Sequence, residues 1–165
     1  MAQTTKYQAF RGLAISLLVT FAAAALGARA SIEAQPFYDQ LVQPGWAPPP
    51  WLFGPVWTVL YALMAVSAWL VWRSGGLRAR RFELGLFLVQ LVLNSLWSWL
   101  FFVLNLGGVA FAEVILLWVI ILATLIAFWR VNPLAGLCLV PYLLWVSFAA
   151  VLNYVLWRMN PGVLG

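Results

Sequence analysis

The chain has 165 residues, of which 65% are hydrophobic and only 8% charged, and it carries a formal charge of +5. A soluble domain has about 25% charged residues, so this composition excludes a water-soluble fold and calls for lipid as solvent. His is absent and Cys138 is the single cysteine, which excludes His-ligated metal or haem, a His-based triad and an internal disulfide, and leaves Cys138 as a small packing residue.

A chain in lipid must satisfy its backbone polar groups internally, which leaves helices and closed barrels. Barrel strands alternate apolar and polar residues over about ten positions. The apolar runs here are continuous and approach the roughly 20 residues that cross a bilayer. The prediction is an all-α membrane protein, a single five-transmembrane-helix bundle occupying 1–165. The first span, 13–28, lies between Arg11 and Arg29. It has the position of a signal peptide, but it lacks a persuasive cleavage site and four more spans follow, so it reads as a retained helix. The long loop, 29–50, holds Pro36, Pro44, Pro48, Pro49 and Pro50 with Phe37, Tyr38 and Trp46 among them. Proline favours stiff, extended backbone, so the loop reads as an aromatic lid over the bundle mouth; an interfacial aromatic belt is the other reading.

The second span, 51–72, places Trp57 and Tyr61 one turn apart. In the link after it, Arg73, Arg78, Arg80 and Arg81 cluster between two apolar runs, which is a topology signal and not a nucleic-acid surface. In the third span, 84–104, Gln90, Asn94 and Ser98 recur every fourth residue and share one face. The fourth, 109–129, carries Glu113, the only acid in a span, about a turn from its outer end, where its carboxylate is expected to snorkel to the interface. The fifth, 134–157, repeats the four-residue spacing in Trp145, Ala149, Asn153 and Trp157, as the first does with Gly12, Ser16 and Thr20.

Positive charge orients the bundle. Lys6, Arg11, Arg73, Arg78, Arg80, Arg81 and Arg130 fall on one side, and Arg29 and Arg158 on the other. The N-terminus is therefore expected in the cytoplasm and the C-terminus opposite.

Polar residues within spans have two readings. They are interhelical glue, or they fix a ligand in an apolar pocket. Ser16, Thr20 and Ser98 suit the first; Gln90 and Asn94, with large aromatics on neighbouring spans, suit the second. Among the eleven Trp, those at span ends, Trp51, Trp72, Trp129 and Trp157, fit an interfacial belt. Trp57, Trp97 and Trp145 lie deeper and would suit a flat, largely apolar ligand such as a tetrapyrrole or sterol. No phosphate-binding loop, metal-ligand set, cluster of acids or activated nucleophile occurs, and nothing calls for a resident cofactor.

The run PGWAPPPWLFGPVWTVLYALMAVSAWLVW (44–72) closely resembles the signature of the TspO/MBR family of tryptophan-rich sensory and translocator proteins. QLVLNSLWSWLFF (90–102) and VPYLLWVSFAAVLNYVLWR (140–158) resemble its third- and fifth-helix motifs. The resemblance implies a cavity under the first loop that binds porphyrins and benzodiazepine-like ligands. The ligand-binding residues would be Trp57, Gln90, Asn94, Trp145, Ala149 and Asn153, with Tyr38 and Trp46 from the loop. Val151–Arg158 fits the loose sterol pattern through Leu152, Tyr154 and Arg158. Three functions are open: a porphyrin sensor, a light-dependent protoporphyrin-degrading enzyme with Trp57 and Trp145 as oxidisable partners, and a porphyrin or sterol transporter. The resemblance also implies a homodimer, although no sustained Gly-x-x-x-Gly supports one. Helical spans point to a bacterial inner membrane; the resemblance leaves an outer membrane open. Two positions depart from relatives: Phe37, where some have Trp, and Glu113, where several have Asp.

Overall fold

The computed structural model describes residues 6–32 and 34–165, and only the backbone of 6–8. Its helices in chain order are α1 (Lys6–Ala30), α2 (Ala34–Gln40), α3 (Phe53–Arg73), α4 (Gly76–Ala79), α5 (Arg81–Ser98), α6 (Gly107–Val131), α7 (Pro133–Met159) and α8 (Pro161–Leu164). No strand occurs among the described residues. The expected bundle is present: α1, α3, α5, α6 and α7 are long and apolar enough to cross a membrane. Most run a few residues beyond the apolar stretches that announced them. Their last turns take up basic side chains, Arg29, Arg73, Arg130 and Arg158, opposite the partial negative charge of the helix C-terminus.

Local chemistry fixes the connections. Asn132 caps α7 by accepting the Leu134 N–H at 2.9 Å, and Pro133 sits in the first turn, where its missing N–H costs nothing. One residue thus separates α6 from α7, which makes them antiparallel neighbours. They pack closely because Gly136 leaves room for Trp129, whose atoms a Cβ there would meet at 2.7–2.9 Å. α1 packs on α3 and α5, α3 on α7, α7 on α6, and α6 on α5, which closes a ring.

Towards the end of the ring that carries α4, the core is filled. Met64, Val71, Phe87, Phe128, Leu139 and Tyr142 are buried together there. α1 joins through hydrogen bonds as well as packing. Ser16 Oγ donates to the Ala65 carbonyl at 2.6 Å, Ser95 Oγ to Ala23 at 3.0 Å, and Trp69 Nε1 to Ala9 at 2.8 Å. Such interhelical bonds contribute about 0.6 kcal/mol each in lipid. Ser16 is therefore glue, as its sequence reading had it. Thr20 is fully buried and its Oγ1 has no partner.

At the opposite end the loop between α1 and α3 folds over the bundle. The proline-rich stretch is not extended throughout: α2 forms at 34–40, with Pro36 in its first turn, where a helix tolerates it. Tyr38 and Leu41 bury against Phe101, Ala110, Leu152, Leu156 and Leu164 in a second apolar cluster. Asn160, just past α7, fastens the loop. Its Oδ1 accepts the Val42 N–H at 2.8 Å, and its Nδ2 donates to the Val42 carbonyl at 2.9 Å and to the Leu156 carbonyl at 2.8 Å.

Glu113 departs from expectation. It does not reach the interface: the residue is 8% exposed, and both carboxylate oxygens are buried without a hydrogen-bond partner. Its place on α6 explains this, since it lies in the buried stripe that includes Ala110, Val114 and Leu117.

Candidate functional site, an aromatic cavity

Between the filled core and the loop lies a cavity of about 610 Å³ that is open on one side. Ligand sites commonly measure about 300–1,000 Å³. Its walls come from α1 (Ala24, Gly27, Ala28), α3 (Phe53, Trp57, Tyr61), the α5 region (Asn94, Trp97, Phe101) and α7 (Trp145, Ala149, Asn153), with Tyr38 of α2 above.

The α5 wall depends on a π-helical turn, Trp99–Val103. There the Leu104 N–H reaches back to the Trp99 carbonyl at 3.0 Å. The extra residue in that turn shifts the register of the helix face. Phe101 is buried, stacked on Trp97 at a centroid distance of 5.3 Å, and Phe102 also lines the cavity. Two further aromatic pairs complete the walls: Trp57 lies 5.6 Å from Tyr61, and Phe53 meets Trp145 edge-on at 6.0 Å.

Two amides organise these rings. Asn94 Oδ1 accepts the Tyr61 hydroxyl at 2.5 Å, and its Nδ2 donates to the Tyr142 hydroxyl at 3.2 Å. Asn153 Oδ1 accepts the Trp97 N–H at 2.9 Å, and its Nδ2 donates to the Gly107 carbonyl at 3.0 Å. Each amide therefore joins two neighbouring helices and fixes an aromatic ring of the wall. Glue and pocket, alternatives at the level of sequence, are here one structure. Among the described residues the indole N–H groups of Trp57 and Trp145 have no protein partner, whereas those of Trp69, Trp97 and Trp118 do.

Six of the eight residues expected to contact a ligand line the cavity: Tyr38, Trp57, Asn94, Trp145, Ala149 and Asn153. Gln90 does not. It is 1% exposed in the core, its Nε2 pointing to Met64 Sδ at 3.7 Å and its Oε1 unpartnered. Trp46 is 49% exposed and stands one ring away, edge-on to Phe148, which in turn packs on Trp145. The sterol-pattern residues are not brought together. Leu152 lines the cavity, while Tyr154 is exposed beside Phe111 and Trp157, and Arg158 lies over the Trp157 ring at 6.0 Å.

Sequence reasoning left out the α1 wall and Phe101. The α1 signal was present, because the small row of Gly12, Ser16 and Thr20 continues at the same spacing through Ala24 and Ala28. For Phe101 it was present too, since the residue lies seven positions after Asn94 and four after Trp97, on the same helical face.

Over the loop, Tyr38 donates its hydroxyl to the Pro48 carbonyl at 3.4 Å, and its own carbonyl accepts Gln43 Nε2 at 2.6 Å. Its ring meets Phe53 edge-on at 5.7 Å. Burial, and then the charge of Asp39, push its phenol above the ordinary value.

Five apolar spans around an aromatic, loop-covered cavity define a multi-pass helical membrane protein with an internal chamber. Residues 14–158 match the TspO/MBR family, and the chain belongs to it. It is 41% identical over 130 residues to protein CrtK of Rhodobacter capsulatus, covering 76% of this chain and 79% of that one. It is 42% identical over 127 residues to the tryptophan-rich protein TspO of Chlorobaculum tepidum, covering 76% and 80%. The human translocator protein is 40% identical over 131 residues, covering 78% of each.

Proposed function

We propose that this protein is a membrane-embedded receptor that binds a flat tetrapyrrole in the aromatic cavity and serves as a sensor. The carrying observation is the pairing of Trp57 and Trp145 on the cavity wall, both with N–H groups unused by the protein. Large, flat, apolar walls with a few fixed polar groups suit a planar macrocycle. Relatives named as sensory and translocator proteins support a role in sensing or transfer at a membrane. The orientation that fits the charge bias places the loop, and hence the covered end of the cavity, away from the cytoplasm.

Protoporphyrin titrated into purified protein in nanodiscs should quench tryptophan fluorescence saturably, at about one ligand per chain, because indoles on the cavity wall lie against the macrocycle. Quenching that rises linearly with ligand and matches a tryptophan peptide in the same discs would reject the site.

A further inference from the structure

The cavity walls carry tyrosine, tryptophan, amide and hydroxyl groups, but no Asp, Glu, Lys or Arg among the described lining residues. Of the three amides that line it, Asn94 is engaged with Tyr61 and Tyr142 and Asn153 with Trp97 and the Gly107 carbonyl, while Gln35 stands at the exposed rim. Glu113 does not line the cavity, and Arg158 lies over Trp157. An ionised group held among such walls would lose its hydration and meet no opposite charge, and scattered neutral donors such as the free Trp57 and Trp145 N–H groups do not replace its hydration shell.

The chamber also has a side that is open. Of the lining residues, six are exposed, Phe21, Ala25, Ala28, Gln35, Gly54 and Thr58. They sit on α1, on α2 and in the first turns of α3, while the α5 and α7 walls are closed.

We infer that the chamber takes only the uncharged part of its ligand, and that ionised groups remain outside, at the opening bounded by α1, α2 and the start of α3. This rests on the tetrapyrrole reading above and narrows it: the macrocycle enters by an apolar edge, and its carboxylates stay in the interface. The ligand class is thus a neutral aromatic body whose charges, if any, lie along one edge.

The full chain in zwitterionic nanodiscs is titrated with protoporphyrin and with its dimethyl ester, each corrected for partition into empty discs. Neutralising groups that never enter should leave the two dissociation constants within about threefold, with each ligand displacing the other. An acid more than about tenfold tighter than its ester, with that advantage lost at high salt, would reveal a cation inside the site and overturn the inference. A parallel pair tests charge without a tetrapyrrole: pyrene, and pyrene with sulfonates on all sides. Pyrene should quench saturably, and the tetrasulfonate should bind at least about 100-fold more weakly. Equal binding of the pyrene pair overturns the inference. If neither porphyrin binds while pyrene does and its sulfonate does not, the charge rule stands and the tetrapyrrole reading falls.

Discussion

At the scale of single residues, Asn94 has a large structural consequence in the wall. Replacing it with Leu strips partners from the Tyr61 and Tyr142 hydroxyls, and each buried polar group left unsatisfied costs about 1–3 kcal/mol. Asn94→Leu should therefore lower the thermal midpoint of the detergent-solubilised protein. Adding Tyr61→Phe should restore part of the loss, because one orphaned hydroxyl is then gone. Additive losses in the double variant would refute the shared network. Trp57 and Trp145 affect the ligand more than the fold, since their N–H groups serve no protein partner. Trp57→Phe or Trp145→Phe should weaken protoporphyrin binding by roughly 1–2 kcal/mol, on the scale of an aromatic contact plus one hydrogen bond. Trp51, 71% exposed and outside the cavity, is the control, and Trp51→Phe should leave affinity unchanged. Equal losses at Trp51 and Trp57 would mark general destabilisation. Tyr38 gives a pH dependence. Its buried phenol ionises above the ordinary value of 10.0, so ionisation favours the opened loop. The stability it lends is complete below about pH 10 and is lost as pH rises beyond it. A difference absorbance titration against Tyr38→Phe should place this phenol above 10.0; a midpoint at or below that value contradicts the burial.

At the scale of elements, the loop behaves as a part with two fastenings. Prolines 48–50 limit its free conformations, and Asn160 ties Val42 by both backbone groups. Changing Pro48–Pro50 to glycines should weaken ligand binding without unfolding the bundle, by up to about 1 kcal/mol per site, because the free loop then has more conformations to lose. Asn160→Ala removes three hydrogen bonds, each contributing about 0.5–1.5 kcal/mol net. Amide exchange of residues 37–44 should accelerate in that variant while α6 and α7 keep their protection. Unchanged exchange in the loop would assign its order to the Tyr38 and Leu41 packing alone.

For the whole molecule, the spans were legible because lipid imposes one requirement along some twenty residues, and hydropathy reports it directly. Topology follows from the same reading: reporters fused after Arg81 and after Gly165 should localise to opposite sides of the membrane, and a shared side would break the five-span arrangement. Of the site, the α7 row from Trp145 through Ala149 to Asn153 was readable from helical spacing, since α7 is regular through that stretch. The α5 row was readable only in part. Asn94 lines the cavity as expected and so does Ser98, which had suited the glue reading, but Gln90, a turn nearer the filled core, does not, because depth as well as face decides what a side chain meets. Phe101 stays on the Asn94 face, seven positions on, and the π turn that begins at Trp99 leaves Phe102 lining the cavity beside it. Glu113 failed for a different reason: distance from a helix end says nothing about which neighbours cover that face. The packing of α2 and the clasp of Val42 to Asn160 also left no periodic trace, being contacts between segments far apart in the chain.

That clasp has a consequence for the order of assembly. Val42 and Asn160 lie 118 positions apart, and every spanning segment after the first must be threaded into the bilayer before they meet. Contacts that close so long a segment form late, since the entropy of bringing the ends together must be overcome before the contact rewards it. The loop is synthesised early and waits, so the chamber has walls before it has a cover. A chain arrested before its last span would present the aromatic interior open to the membrane surface, and closure of the loop is the sign that insertion is complete.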